Sequence, residues 1–114
     1  MTGSGEDSEG AMRDLRWSAA EKAVARKAFD GALQRELQAV MREAKEMAAK
    51  IQEPAELERY LNEQRREIDQ RYDYRYSVLP SVFGELIRRG CLREEELDGL
   101  GADKFNTIRR YARR

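Results

Sequence analysis

The stretch RREIDQRYDYRYSVLPSVF, Arg65 to Phe83, decides the fold. Its first half is charge and tyrosine; its second half is apolar and carries Pro80. A helical pattern enters it through Leu57, Leu61 and Gln64, runs on through Ile68, Tyr72 and Tyr76, and continues with Leu79, Phe83 and Leu86. Pro80 has no N–H to offer the carbonyl of Tyr76, and its ring crowds that turn. The helix therefore kinks there, or it ends near Tyr76 and restarts with Ser77 as N-cap. Either way the chain changes direction where its composition changes. The charged half belongs to a stalk and the apolar half to a small head.

Working outward, the chain before this stretch holds one long helix. Trp17-Ser18-Ala19-Ala20-Glu21 is a capping box, Ser18 accepting from the backbone of residue 21 and Glu21 reaching back. Beyond Phe29 the apolar residues Leu33, Leu37, Val40, Ala44, Met47 and Ile51 step by four and three, the period of a coiled-coil seam. At 1.5 Å per residue, Ser18 to Ile51 spans roughly 50 Å. Gln52-Glu53-Pro54 stops this helix and starts the next.

On the far side, Arg88-Arg89-Gly90 closes a helix with a basic last turn and a glycine at C′. Glu94 to Leu100 reads as a short helix with acids in its first turn. Asp103 is expected to cap a last helix with Phe105, Ile108 and Tyr111 or Ala112 facing inward. No strand alternation and no repeat is read. Residues 1–16, rich in Gly, Ser and acid, are expected to be a disordered tail. Residues 17–114 form one all-α domain: two long antiparallel helices as a stalk (17–76) and a helical head (77–114).

Composition narrows function. Charged residues are 39 % of the 114, aromatics 8 %, mean hydropathy −0.88 and net charge zero. This suits long helices burying one stripe each, and offers no global field for nucleic acid or acidic lipid. No run approaches the ~18 apolar residues of a membrane span. The lone Cys91 cannot form an intrachain disulfide, and a cytoplasmic location is expected. Histidine is absent, which removes the commonest general base and the Ser–His and Cys–His nucleophile systems. No enzyme, cofactor or metal is expected; Glu94-Glu95-Glu96 is a helix start, because adjacent helical residues point apart.

A two-helix hairpin with one stripe per helix has a thin core, and the remedy is a second copy. A homodimer is expected, with Leu33, Leu37, Val40, Met47 and Ile51 as its seam and Trp17 against the other chain. Arg65, Asp69, Tyr72, Asp73 and Arg75 are the candidate partner-binding residues, since Arg and Tyr combine area with directional hydrogen bonds. The basic run Lys104 to Arg114, with Phe105 and Tyr111 interleaved, is the alternative nucleic-acid surface. It reads more simply as a basic helix end.

The sequence resembles the fluorescence recovery protein family of cyanobacteria. The resemblance runs through WSAAE (Trp17–Glu21), QREL (Gln34–Leu37), REIDQRYDYRYSV (Arg66–Val78), VFGELIRRG (Val82–Gly90) and EELDGLGADK (Glu95–Lys104). It implies a dimer of stalk and head that binds photoactivated orange carotenoid protein and speeds its return to the resting form. It makes Arg65 an arginine of the binding surface at the dimer interface and Trp17 the family tryptophan before the first helix. Four positions depart. Ala55 stands in the region where the family has a tryptophan, Arg59 reverses an acidic charge, Ser81 replaces a phenylalanine used in partner contacts, and Pro80 is unusual. The resemblance with these departures leaves a second expectation, the same fold serving a different protein partner.

Overall fold

In the computed structural model, which describes residues 15–50 and 53–113, all regular structure is helical. Helix α1 is Ala19–Lys50, α2 Pro54–Arg71, α3 Leu79–Arg88 and α4 Ala102–Ala112, with a 3-10 turn at Glu94–Leu97. The described part is elongated, 59 × 28 × 21 Å. Ile51 and residues 1–14 of the expected tail lie outside the described residues.

The capping box forms as the sequence requires. Ser18 N–H donates to Glu21 Oε1 at 2.9 Å, and Glu21 N–H to Ser18 Oγ at 3.1 Å. Pro54 sits at the first position of α2, after Glu53 in extended conformation. Gly90, at φ +80°, ends α3: Cys91 N–H reaches Leu86 O at 2.8 Å and Gly90 N–H reaches Ile87 O at 3.0 Å. This is a Schellman close, in a backbone region only glycine enters freely.

Four boundaries differ from the sequence reading. Helix α2 ends at Arg71, not near Tyr76. Residues 72–75 take no regular structure and a turn covers 76–78. Tyr72, Tyr74 and Tyr76 recur every second residue, the period of an extended chain that lays one face on a neighbour. That face lies on α1, and the gain from three rings outweighs four more residues of polar helix. Ser77 is not the cap of α3. Val78 precedes it, and Pro80 stands buried in the first turn, where no N–H is needed. The expected helix from Glu94 is a 3-10 turn ending at Leu97. Helix α4 begins after Gly101, and Asp103 lies inside its first turn.

The core sits at one end. Leu79, Val82, Phe83 and Leu86 of α3 meet Leu92, Leu97, Leu100 and Ile108, and the other wall is Ala25, Ala28, Phe29 and Ala32 of α1. The head therefore draws on α1 residues that the sequence reading assigned to the stalk. Alanines at 25, 28 and 32 let the helices approach closely, and Phe29 fills the gap between them. At Gly84 helices α3 and α4 nearly touch: a Cβ there would lie 2.4 Å from Tyr111 Cβ and 2.9 Å from Ala112 N.

The start of α1 is anchored by charge. Lys104 is buried and pairs with Glu21 at 3.0 Å and Asp103 at 3.2 Å, and its ammonium also meets the Arg16 carbonyl. Glu21 Oε2 accepts from Gly101 N–H at 2.7 Å. The Ser18 N–H is the main reason that the Glu21 carboxyl is pulled from 4.5 down to about 2; burial opposes it, and Lys104 and the Gly101 N–H add to it.

Two measurements check this packing. Gly84→Ala destabilises by about 1–3 kcal/mol in urea unfolding, because backbone must move. Gly31→Ala, where a Cβ meets only Arg35 Nη1 at 3.7 Å, stabilises by up to about 1 kcal/mol. The folded-state pKa of Glu21 lies below its unfolded value, so its stabilisation is present above pH 4.5 and lost as pH falls toward 2. The stability gap between the parent chain and Glu21→Gln shrinks across that window.

Candidate protein-binding surface

Beyond the head, α1 and α2 run side by side with little between them. Leu37, Val40, Leu61, Gln64, Arg65, Ile68 and Asp69 line an open groove of about 220 Å³. Leu37 and Leu61 are 40 % exposed and Met41 is 57 % exposed, unusual for large apolar side chains in a chain this polar. Arg65 and Asp69 stand exposed on the rim, one helical turn apart, yet form no ion pair among the described residues. Met47 and Val40 are half-buried, and Leu33 packs against the head core.

Where α2 ends, a polar node replaces the groove. Glu36 of α1 accepts from Arg71 Nη2 at 2.7 Å and from the Tyr72 hydroxyl at 2.7 Å. The Glu36 and Arg71 side chains are only 17 % and 13 % exposed, so this is a largely desolvated pair. Burial, and then the Glu36 carboxylate, push the Tyr72 hydroxyl far above the usual phenol range. Cys91 lies beside Glu36, and burial raises its thiol as well, which makes it a poor nucleophile.

The extended segment follows. Tyr72 and Tyr74 both meet Phe29 edge-on, at 5.4 and 4.8 Å between centroids. Tyr74 meets Tyr76 at 5.5 Å, and Tyr76 meets Trp17 at 5.5 Å. Arg26 covers Tyr74 at 3.8 Å and Lys22 covers Tyr76 at 5.2 Å. Asp73 and Arg75 face the other way and hold each other, Nη2 to Oδ2 at 2.6 Å. That contact holds the Asp73 carboxyl below its usual range.

The five residues expected to bind a partner thus occupy two neighbouring patches. Arg65 and Asp69 rim the groove, whereas Asp73 and Arg75 present the outer face of the strip. Tyr72 is turned inward, its hydroxyl spent on Glu36. Trp17, expected against another chain, packs on Tyr76 of its own, with Lys104 Nζ 5.6 Å from its ring. Glu36 was missed by sequence reasoning: one acid among many in a polar helix carries no local signal. The alternation of tyrosines at 72, 74 and 76 was the signal for the strip. Of the basic C-terminal run, Lys104 is buried and Arg109 pairs with Glu94 at 3.2 Å.

Residues 17–112 match the family model described as photoprotection regulator fluorescence recovery protein. The chain belongs to the fluorescence recovery protein family. The fluorescence recovery protein of Synechocystis sp. is 38 % identical over 100 residues, 85 % of this chain and 92 % of that protein. The solved fluorescence recovery protein of Fremyella diplosiphon superposes with a TM-score of 0.80 at 40 % identity, covering 87 % of this chain and all of that one. The Synechocystis structure also gives 0.80, at 37 % identity and the same coverage. This family is one of regulators, and no helix among the described residues is long and apolar enough to cross a membrane.

Stability separates the two patches. Glu36→Ala leaves the desolvated Arg71 with only the more distant Glu67 at 3.9 Å and costs about 3 kcal/mol in chemical unfolding. Arg65→Ala, exposed and unpaired, shifts the midpoint within about 0.5 kcal/mol of the parent.

Proposed function

We propose that this chain is a non-enzymatic, dimeric regulator that binds photoactivated orange carotenoid protein and accelerates its return to the resting form. The observation that carries the reading is the open groove of the stalk. Its apolar floor needs a cover, and a second copy supplies Leu37, Met41 and Leu61 in kind. Its rim holds two opposite charges, Arg65 and Asp69, without partners of their own. Kinship to fluorescence recovery proteins supports this choice of client. Arg65, Asp69, Asp73 and Arg75 form the polar contact surface, and Tyr72 supports it from behind.

A second reading, the same scaffold serving another protein, rests on the four departures. Pro80 is buried and serves the start of α3, so it belongs to the fold. Ala55 and Arg59 are exposed, and Ser81 opens a cleft shared with Gln70, Arg71, Glu85, Arg88 and Tyr111. A surface that has lost aromatic area and changed charge is fitted to a different outline.

Light scattering of the parent chain at micromolar concentration is expected to give the dimer mass, and Leu37→Glu the monomer mass. Added to photoactivated orange carotenoid protein, the parent is expected to speed the loss of red absorbance, and Arg65→Glu to remove the acceleration. A helical dimer that leaves the decay unchanged establishes the second reading.

A further inference from the structure

The aromatic strip carries a chemistry that partner binding does not use. Trp17, Tyr76, Tyr74, Phe29 and Tyr72 follow one another with centroid spacings of 5.5, 5.5, 4.8 and 5.4 Å. Tryptophan and tyrosine are the side chains that most readily give up one electron, and a vacancy passes easily between rings in contact. What holds it in one place is the proton. An oxidised phenol is a very strong acid, and it settles as a neutral radical only where a base takes its hydroxyl proton.

The rings differ in that respect. Trp17 Nε1 is buried and has no hydrogen-bond partner, and the Tyr74 hydroxyl is buried beside that of Tyr76, a phenol and not a carboxylate. The Tyr72 hydroxyl donates to Glu36 Oε1 at 2.7 Å, while Arg71 occupies the other oxygen. The carboxylate is largely shielded from water and held in place by these two donors.

We propose that the strip conducts one-electron oxidation and that Tyr72 is its terminus. A high-potential one-electron oxidant, of the class of a photo-oxidised metal complex, takes one electron at the Trp17 and Tyr76 end. The vacancy passes by Tyr74 to Tyr72 across the Phe29 ring, which bridges the two phenols and is not itself oxidised. The Tyr72 O–H bond then breaks, and its proton forms an O–H bond on Glu36 Oε1. The products are a neutral Tyr72 phenoxyl radical, a neutral Glu36 carboxyl and an oxidant reduced by one electron. One electron from a thiol- or ascorbate-class reductant, with the proton returned from Glu36, restores the start. Trp17 is thereby spared irreversible oxidation.

Two tyrosines outside the strip compete: Tyr60, its hydroxyl 2.8 Å from Glu43 on the stalk, and Tyr111 in α4. The test therefore uses the full chain carrying Tyr60→Phe and Tyr111→Phe, a flash of a ruthenium tris-bipyridyl complex with persulfate as electron acceptor, and freeze-quenched electron paramagnetic resonance. The expected result is a neutral tyrosyl signal that forms more slowly in D₂O and is lost in Tyr72→Phe. Loss in Glu36→Gln, which still accepts a hydrogen bond but is not a base, is also expected, with circular dichroism confirming an unchanged fold. A nitroso spin trap followed by peptide mass spectrometry reads the site without substituting any residue of the strip. An adduct on Tyr72 supports the proposal. Absence of a radical, an adduct on Tyr74, Tyr76 or Trp17, or a signal that survives Glu36→Gln overturns it.

Discussion

One carboxylate, Glu36, joins the stalk to the strip that leads into the head. A charge this far from water is tolerated only when its lone pairs are met. Two consecutive residues meet them: Arg71, the last of α2, and Tyr72, the first beyond it. Because both donors must reach one acceptor, α2 has to stop where it does and the chain has to leave it extended. The direction of everything downstream, including the entry of α3 into the core, follows from that stop.

The second constraint is scarcity of apolar surface in a chain that is 39 % charged. Helix α1 is asked to serve twice. Its first half gives Ala25, Ala28, Phe29 and Ala32 to the head, where they are almost wholly buried. Its second half offers Leu37, Val40, Met41 and Met47, and nothing among the described residues covers them well. A single-layer hairpin cannot dry both of its faces. The exposed ion pairs along it, such as Arg26–Asp30, keep it in solution and add little to its stability.

These two constraints place unlike surfaces next to each other. The groove is apolar with charged edges, suited to another helix. The strip beside it is aromatic, rigid and capped by cations, and its outer face is a closed Asp73–Arg75 pair. A rigid aromatic platform loses little entropy on contact, whereas a groove lined by leucine and methionine adapts. On the function proposed above, the groove is for the second copy and its rim for the client.

The sequence by itself determined the all-helical class, the capping box at Ser18 and Glu21, the restart at Pro54, the close at Gly90 and the shortage of core in the stalk. These signals are local or periodic: a cap, a missing N–H, a positive φ or a repeat of apolar residues lies within a few positions of the structure it dictates. The resemblance of WSAAE and REIDQRYDYRYSV pointed to the family. Only the tertiary structure decided that Tyr72, Tyr74 and Tyr76 form an extended strip, that Trp17 turns back on its own chain, and that Glu36 is the node. Thirty-five residues separate Glu36 from Arg71, and eighty-eight separate Arg16 from Lys104. Such contacts depend on which face of one element meets another, and a carboxylate looks the same in sequence whether its partner is water or a buried guanidinium.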